Sequence, residues 1–298
     1  MNMGYVYAVL AYIMWGLLPI YWKLYEEIGA GEILAHRIIW SVVFVMILLT
    51  FSKRWSKLKR SVPDLKSRLA VVMCSILITA NWLIYIWAVQ NGRILEASLG
   101  YYINPLVNVF LGVFLLGERL SKLQWTAIAL AGVGVLITTL SYGQFPWVSI
   151  TLALSFALYG YTKKKVQVDP TVGLSLETLV VLPFALLYLA FVEHGGQALE
   201  VLSGWKLAGL TLAGVATALP LLFFAQGVKR LPLSVMGIIQ YMSPTISLLL
   251  GVLVYGEEFT SIELLSFGLI WSALVLYTLQ MLKKPKLVAV PAGAAKTS

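Results

Sequence analysis

One stretch of this sequence occurs twice, and that repeat limits what the chain can fold into. Residues 102–118 read YINPLVNVFLGVFLLGE, and residues 241–257 read YMSPTISLLLGVLVYGE. Tyrosine, proline, Leu-Gly-Val and Gly-Glu recur in both at a constant separation of 139 residues. The chain therefore contains a unit that has been duplicated.

Each copy of the repeat is an apolar helix that carries a proline, Pro105 in the first copy and Pro244 in the second. A proline inside a helix leaves the carbonyl four residues earlier without its hydrogen-bond donor, here that of Tyr101 and that of Gln240. In lipid such a carbonyl is tolerated only where it is buried in protein or faces a wet cavity. We therefore expect both helices to be interrupted near mid-depth.

The repeat continues into the helix that follows each copy. Ser121 precedes Gln124 and Thr260 precedes Glu263, again 139 residues apart. This spacing is typical of a capping box, in which two side chains bond each other's backbone N–H groups. The duplicated unit thus spans at least two helices.

The composition places the chain in a membrane. Hydrophobic residues make up 60% of the chain and charged residues 12%, whereas about a quarter of a soluble domain is charged. Ten apolar stretches of near-spanning length predict an all-α, polytopic membrane protein. They cover residues 4–22, 33–51, 69–89, 95–116, 122–140, 146–162, 173–192, 207–227, 232–254 and 262–281.

Charge predicts the orientation of these spans. With the N-terminus inside, the inner segments carry 18 of the 22 lysines and arginines, and the outer segments carry nine of the 13 acidic residues. This is the positive-inside distribution, with both termini cytoplasmic. It explains the net charge of +9 without a nucleic-acid partner, and it makes Lys163–Lys165 topology anchors rather than ligand residues. The first stretch has no basic region before it and leads into further spans, so we expect it to be retained.

Five spans per unit is an odd number, so tandem copies must enter the membrane from opposite sides. The predicted fold is two inverted five-helix repeats at residues 1–143 and 144–284, followed by a disordered cytoplasmic tail at 285–298. Inverted repeats with interrupted helices are typical of secondary transporters that work by alternating access. The expected partners are the lipid bilayer and a small-molecule substrate, with no cofactor.

The lining of a central site is predicted from the interrupted helices and the aromatic third span. Amide and aromatic side chains dominate it, which favours a neutral, zwitterionic or aromatic small molecule over an inorganic ion. The residues are Trp15, Asn81, Trp82, Tyr85, Tyr101, Tyr102, Asn104, Gln240, Tyr241 and Ser243. Core packing and hydrogen bonding between helices are the alternative uses of these side chains.

Ionisable side chains are also predicted inside spans: His36 and Arg37 in the second and Glu177 in the seventh. Such residues usually face the bundle interior or water and mark functional sites. His36 and Glu177 therefore join the predicted substrate-binding residues, with proton coupling as a hypothesis. In the structural alternative, Arg37 extends to the outer headgroups, His36 bonds to a neighbour, and Glu177 meets the basic inner loops.

A family resemblance covers nearly the whole of residues 4–281, and five motifs carry it: EILAHRIIWS, NWLIYIWAVQNGR, EASLGYYINPLVNVFLGV, LGERL and LPLSVMGIIQYMSPT. They are similar to the RarD type of EamA-domain carriers in the drug/metabolite transporter superfamily. The resemblance implies ten helices in two EamA repeats and a location in a bacterial inner membrane. It also implies export or uptake of a small metabolite or drug without ATP.

Other function classes fit the sequence less well. An enzyme would need a metal cluster, an activated nucleophile or paired carboxylates, but the chain has two histidines, one cysteine and no HExxH or GxSxG motif. An ATP-driven pump would need a GxxxxGK[ST] loop, which this chain lacks. With Cys74 alone no intrachain disulfide forms, and we expect it to be a buried apolar residue. A channel or a receptor stays open, as do the substrate, its direction, the coupling ion and the oligomeric state.

Overall fold

The computed structural model describes residues 3–25, 27–91, 93–141, 143, 145–165, 168–191, 198, 202, 204–254, 256 and 260–282. Within these ranges the regular structure is all-helical, apart from turns and loops. Glu257 of the repeat and the predicted tail at 285–298 lie outside the described residues.

The described helices are numbered in chain order. They are α1 (Met3–Trp22), α2 (Ala30–Phe51), α3 (Trp55–Arg60), α4 (Leu65–Gln90), α5 (Ile94–Leu116), α6 (Lys122–Ser141), α7 (Trp147–Lys165), α8 (Pro170–Phe191), α9 (Gly204–Leu210), α10 (Ala213–Arg230), α11 (Leu233–Gln240), α12 (Met242–Val254) and α13 (Ser261–Leu282). A short 3₁₀ turn, Lys23–Tyr25, follows α1.

The helices confirm the prediction of a polytopic membrane protein. In the described part of the chain, nine helical segments are long and apolar enough to cross a membrane. α7 has 19 residues and falls on the sixth predicted stretch, but the three lysines in its last turn lower its mean hydropathy. It packs against α4, α5 and α10 and is buried along much of its length. That α7 also crosses the membrane stays a prediction.

Each predicted stretch falls on described helix, but two stretches are divided. The eighth is split into α9 and α10 by a turn in which the N–H of Leu212 bonds to the carbonyl of Gly209 at 2.8 Å. The ninth is split into α11 and α12 at Tyr241, because Pro244 has no N–H to offer to Gln240. The first copy of the repeat differs, since α5 continues through Pro105. The basic segment predicted as a linker contains one short helix, α3.

Both predicted capping boxes are confirmed. The N–H of Ser121 bonds to Gln124 Oε1 at 2.8 Å, and the N–H of Gln124 bonds to Ser121 Oγ at 3.3 Å. At the equivalent position, the N–H of Thr260 bonds to Glu263 Oε2 at 2.8 Å, and the reciprocal bond measures 3.2 Å. The duplicated unit therefore keeps its local structure as well as its sequence.

The glycines of the two Gly-Glu motifs also match in conformation. Gly117 has φ 67° and Gly256 has φ 70°. Both lie in the left-handed region that glycine adopts at the end of a helix without the steric cost of a Cβ. The chain therefore leaves α5 and α12 in the same way.

The equivalent helices α2 and α8 pack against each other and run antiparallel. Gly31 near the start of α2 lies against Tyr188 near the end of α8. At the other end of the pair, Leu49 of α2 belongs to the same apolar cluster as Val172 of α8. This crossing places two interior faces of the bundle side by side.

The equivalent helices α5 and α11 also run antiparallel. A Cβ on Gly112 would lie 3.0 Å from the backbone nitrogen of Ser234, whereas one on Gly237 would lie 2.6 Å from the carbonyl oxygen of Pro105. Glu118 accepts hydrogen bonds from the N–H groups of Leu233 at 2.6 Å and Ser234 at 2.9 Å, and so caps the start of α11. Close backbone contact and this cap hold the two copies of the repeat together.

Candidate functional site

Two small pockets that share Glu177 lie between α4, α8 and α10; α7 completes one of them and α2 the other. We call the end of the bundle that carries Arg54, Lys163 and Lys229 the basic end. Each pocket has space for about one water molecule. The basic-end pocket is lined by Ala70, Val71, Cys74, Lys163, Val168, Asp169, Pro170, Gly173, Glu177, Ala225 and Lys229. The mid-bundle pocket is lined by Ile38, Ser41, Ile78, Thr79, Trp82, Leu174, Glu177, Thr178, Val181, Ala218 and Leu221.

A buried ion pair stands between the two pockets. Lys163 Nζ lies 2.6 Å from Glu177 Oε1, and the two side chains are only 7% and 4% exposed. Tyr159 donates its hydroxyl to the other Glu177 oxygen at 3.3 Å, and its ring lies 5.3 Å from the Lys163 ammonium. Paired charges and hydrogen bonds offset part of the desolvation cost of the two ions. The last turn of α7 thus supplies a cation to α8 in the protein interior.

Lys163 lies in the protein interior, and its role as a topology anchor stays a prediction. Its neighbour Lys164 also points into the protein and bonds to the carbonyl of Val228 at 3.0 Å. Lys229 bonds to the carbonyl of Val168. These lysines bond to backbone carbonyls and a carboxylate at the basic end. A count of basic residues in each loop does not reveal such partners.

A second ion pair lies beside the basic-end pocket. Arg54 Nη1 donates to both carboxylate oxygens of Asp169 at 3.0 Å. The Asp169 carboxylate also accepts from the N–H groups of Thr171 at 3.1 Å and Val172 at 3.4 Å, at the start of α8. Arg54 follows α2, so this pair ties the end of α2 to the beginning of α8.

Arg37 lies beyond the mid-bundle pocket, toward the end opposite to the basic end. Its side chain is buried, with 9% exposure, and Nε donates to Thr217 Oγ1 at 3.0 Å. The guanidinium carbon lies 4.7 Å from the centre of the Trp22 ring and 4.6 Å from that of Trp82. Arg37 therefore does not extend to the lipid headgroups but stacks between two indole rings.

His36 lies next to Arg37 on α2. Its Nε2 is 3.7 Å from Oε1 of Glu32, whose side chain is fully buried. Glu32 also accepts the backbone N–H of Ala198 at 2.8 Å. His36 thus has a neighbour on its own helix, at a distance longer than the hydrogen bond that the structural alternative expected.

Part of the predicted lining converges on the mid-bundle pocket. Trp82 and Glu177 line it directly. Tyr85 packs with Trp82 in an apolar cluster formed by α2, α4 and α8, and its ring lies 5.7 Å from that of Tyr101. Trp82, Tyr85 and Glu177 thus lie where α2, α4 and α8 meet, whereas His36 is not among the residues that line the two pockets.

The predicted amides lie elsewhere, in hydrogen bonds between helices. Asn81 donates to the carbonyl of Leu152 and to Ser155 Oγ, both at 2.9 Å. Asn104 donates to the carbonyl of Ala153 at 2.6 Å. These bonds join α4 and α5 to α7, which is the interhelical use that the sequence left open.

A second amide group joins α5 to α11. Asn108 donates to Asn104 Oδ1 at 2.9 Å and to Gln240 Oε1 at 3.0 Å. Tyr241 donates its hydroxyl to the carbonyl of Tyr102 at 3.2 Å. The two copies of the repeat thus meet through their own polar side chains, away from the two pockets.

The remaining predicted residues also lie away from the pockets. The Trp15 ring packs against Phe156 at 5.5 Å and Phe224 at 5.6 Å, in an aromatic cluster between α1, α7 and α10. The Ser243 carbonyl lies close to Gly16, where α12 crosses α1. Their roles as substrate-binding residues stay predictions.

Sequence reasoning missed Lys163 and Cys74 as pocket residues. Cys74 is buried, as expected, and lines the basic-end pocket. The spacing of Tyr159 and Lys163, one helical turn apart, was the available signal for a shared face. Within the residues that the structure describes, no group of three or more His, Cys, Asp or Glu residues is placed to hold a metal ion.

Comparison with known proteins identifies the family. The model of the EamA-like transporter family matches residues 2–140 and again residues 146–279. The Uncharacterized transporter YojE of Bacillus subtilis is 50% identical over 284 residues, which cover 94% of this chain and 95% of that protein. Protein RarD of Escherichia coli is 40% identical, covering 93% of this chain and 94% of that protein. The Chloramphenicol-sensitive protein RarD of Pseudomonas aeruginosa is 33% identical and covers 92% of each chain.

A solved crystal structure shares the fold. It superposes with a TM-score of 0.73 at 18% sequence identity, and the match covers 95% of this chain and 100% of that chain. The family match, the relatives and the apolar helices agree with one another. This chain is a multi-pass membrane protein that belongs to the EamA-like transporter family.

Proposed function

We propose that this protein is a secondary transporter that moves a small metabolite or drug across a bacterial inner membrane by alternating access. The observation that carries the proposal is the row of two pockets along α4, α8 and α10, interrupted at the buried Lys163–Glu177 pair. The names of the relatives point away from an enzyme, since they are called transporters.

The antiparallel crossings support an inverted arrangement of the two halves. α2 crosses α8, and α5 crosses α11, and in each pair the two helices occupy equivalent places in the two repeats. Inverted repeats allow one central site to open toward either side when one half rocks against the other. We extend the same proposal to the boundaries of the halves, at 1–143 and 144–284, and to a cytoplasmic basic end.

Substrate entry requires movement in this proposal. A drug-sized ligand usually occupies a cleft of about 300–1,000 Å³, whereas each pocket has space for about one water molecule. Separation of α4 and α7 from α8 at the basic end would break the contact between Lys163, on α7, and Glu177 and join the two pockets. Separation at the opposite end would open the mid-bundle pocket past Trp82.

Cysteine labelling tests alternating access directly. In a Cys74→Ser background, Ser41→Cys places one thiol in the mid-bundle pocket, and Ala131→Cys places one in the buried contact between α6 and α13 as a control. Alternating access predicts that a membrane-impermeant maleimide reaches position 41 from each side of the membrane in turn. It predicts no labelling at position 131. Labelling of position 41 from one side only, under every condition, would contradict the proposal.

Counterflow in liposomes separates a carrier from a channel. A carrier exchanges labelled substrate outside against unlabelled substrate inside and saturates, whereas a channel does neither. Chloramphenicol is the first compound to test, because one relative is named chloramphenicol-sensitive. Flux that stays linear with concentration and shows no exchange would favour the channel.

Proton coupling is a more specific version of this proposal. His36 lies 3.7 Å from the buried Glu32, and Glu177 lies between the two pockets. If either group carries the proton, His36→Ala or Glu177→Gln removes the pH dependence of counterflow or uptake. An unchanged pH profile in both variants would leave exchange or facilitated diffusion as the mode of transport.

A further inference from the structure

Arg37 is a buried cation that has no matching anion among the residues that the structure describes. Among the described residues no carboxylate lies within 4 Å of its guanidinium, and neither Nη group has a hydrogen-bond acceptor. The titratable side chains near it are the phenols of Tyr101, Tyr85 and Tyr21, and phenols are uncharged at pH 7. The two indole rings stabilise a cation, but they leave its outer N–H groups unbonded.

Buried charges in proteins are usually paired, because an unpaired one loses its hydration without compensation. Arginine presents a planar fork of N–H donors that fits a carboxylate through two parallel hydrogen bonds. A bound carboxylate would therefore complete the set of contacts that Arg37 lacks.

The neighbouring surface indicates what the rest of the ligand is like. The Trp82 ring lies against the Arg37 guanidinium, and Trp82 also lines the mid-bundle pocket. The other pocket residues are mostly aliphatic, with the hydroxyls of Ser41, Thr79 and Thr178 among them. An apolar or aromatic body fits such a lining.

Arg37 and Glu177 lie equally far from the starts of α2 and α8. Each is the eighth residue of its helix, counted from Ala30 in α2 and from Pro170 in α8. In the register set by Gly31 against Tyr188 and Leu49 near Val172, Glu177 lies about six residues along α2 from Arg37, about 9 Å at 1.5 Å per residue. The Glu177 carboxylate already has Lys163 as its partner. Of these two groups, Arg37 is therefore the one without a partner of opposite charge in the described part of the chain.

We propose that Arg37 binds the carboxylate of an organic acid whose apolar or aromatic body lies along Trp82 in the mid-bundle pocket. This assignment rests on the proposed transport function and narrows its substrate to monocarboxylates with a flat apolar body. It differs from a purely structural clamp, in which Arg37 only ties α2 to α1, α4 and α10.

The test compares acids with their amides on the purified protein. The probes are 3-phenylpropionate with 3-phenylpropanamide and indole-3-acetate with indole-3-acetamide, measured by equilibrium dialysis up to 10 mM. Loss of a charge-assisted pair costs a factor of about 10 to 100 in affinity. We expect each acid to bind about 10 to 100 times more tightly than its amide, and Arg37→Gln to reduce that ratio to about one. Arg37→Lys should keep part of the ratio, because it keeps the charge but not the fork.

Arg93 offers a matched control. Its guanidinium also lies near two tryptophans, at 5.7 Å from the rings of Trp87 and Trp147. Its side chain is 40% exposed, however, and it already pairs with Glu96 at 3.0 Å. Arg93→Gln should leave the ratio of acid to amide affinity unchanged.

Three outcomes would overturn the assignment: no binding of either acid to the wild type, an acid-to-amide ratio near one, or a ratio that survives Arg37→Gln in protein that elutes as a single folded species. Acid binding that disappears in nanodiscs containing phosphatidylglycerol would assign Arg37 to lipid headgroups and also overturn it.

Counterflow of the bound acid is measured on the same proteins. Binding that depends on Arg37 without counterflow would refute transport alone, whereas counterflow of chloramphenicol with an acid-to-amide ratio near one would refute this inference alone.

Discussion

The Lys163–Glu177 pair makes a prediction about stability that its burial allows to be worked out. The two side chains are 7% and 4% exposed, and their charged atoms are 2.6 Å apart. Removal of one partner from a buried pair leaves the other charge uncompensated, which costs about 3–5 kcal/mol. We therefore expect Glu177→Gln and Lys163→Met each to lower the free energy of unfolding by about that amount.

The double variant separates pairing from packing. With both charges gone, no uncompensated ion stays in the interior, and replacement of a buried pair by apolar residues is often close to neutral. We expect the double variant to be no less stable than either single variant, which corresponds to a coupling energy of at least about 3 kcal/mol. Unfolding by sodium dodecyl sulfate in mixed dodecylmaltoside micelles, followed by circular dichroism, measures all four proteins.

An exposed pair in the same chain provides the control. Lys206 and Glu27 lie 2.7 Å apart, but their side chains are 20% and 48% exposed. Water screens such a pair, so its coupling energy should be only about 0.2–1 kcal/mol. If the effects of Lys163→Met and Glu177→Gln simply add, or if both pairs give the same coupling energy, the argument from burial is refuted.

Three further predictions concern the contacts between helices, each measured by the same unfolding assay. Gly237→Ala should destabilise the protein by about 1–3 kcal/mol, because its Cβ would lie 2.6 Å from the carbonyl oxygen of Pro105. The control Gly132→Ala meets nothing within 4 Å and should be neutral or stabilising. Equal losses of stability in the two variants would contradict this. Asn81→Leu should cost about 0.6–1.7 kcal/mol by removing its two bonds to α7, and no loss would mean that lipid or water replaces them. Ser121→Ala should cost about 0.5–2 kcal/mol by removing one half of a capping box, and an unchanged unfolding midpoint would disprove it.

Local patterns in the sequence predicted the helices and their ends. Apolar stretches of spanning length predicted where the helices lie. A segment that crosses the hydrocarbon core must be mainly apolar and must satisfy its backbone hydrogen bonds internally, which a helix does. The spacing of Ser121 and Gln124 predicted a cap, because its two hydrogen bonds join residues three positions apart. The family resemblance was also visible in the motifs, and the family model matches both halves.

The partners of the polar side chains were decided only by the tertiary structure. The same amide chemistry serves a substrate site or a bond between helices, and the crossing of α4 and α5 with α7 gives Asn81 and Asn104 their carbonyl partners. Lys163 looked like one basic residue among three, and only the approach of α8 brings Glu177 to it.

The sequence by itself determined that this chain is a duplicated, helical membrane protein. Hydrophobicity and capping are properties of neighbouring residues, and the duplication is visible when the two stretches are compared. Which charges are buried and which are paired depends on contacts between helices, such as those of Lys163 with Glu177 and of Arg37 with Thr217. Only the packing of the helices sets those distances, and it leaves Arg37 between two indole rings without a carboxylate partner among the described residues.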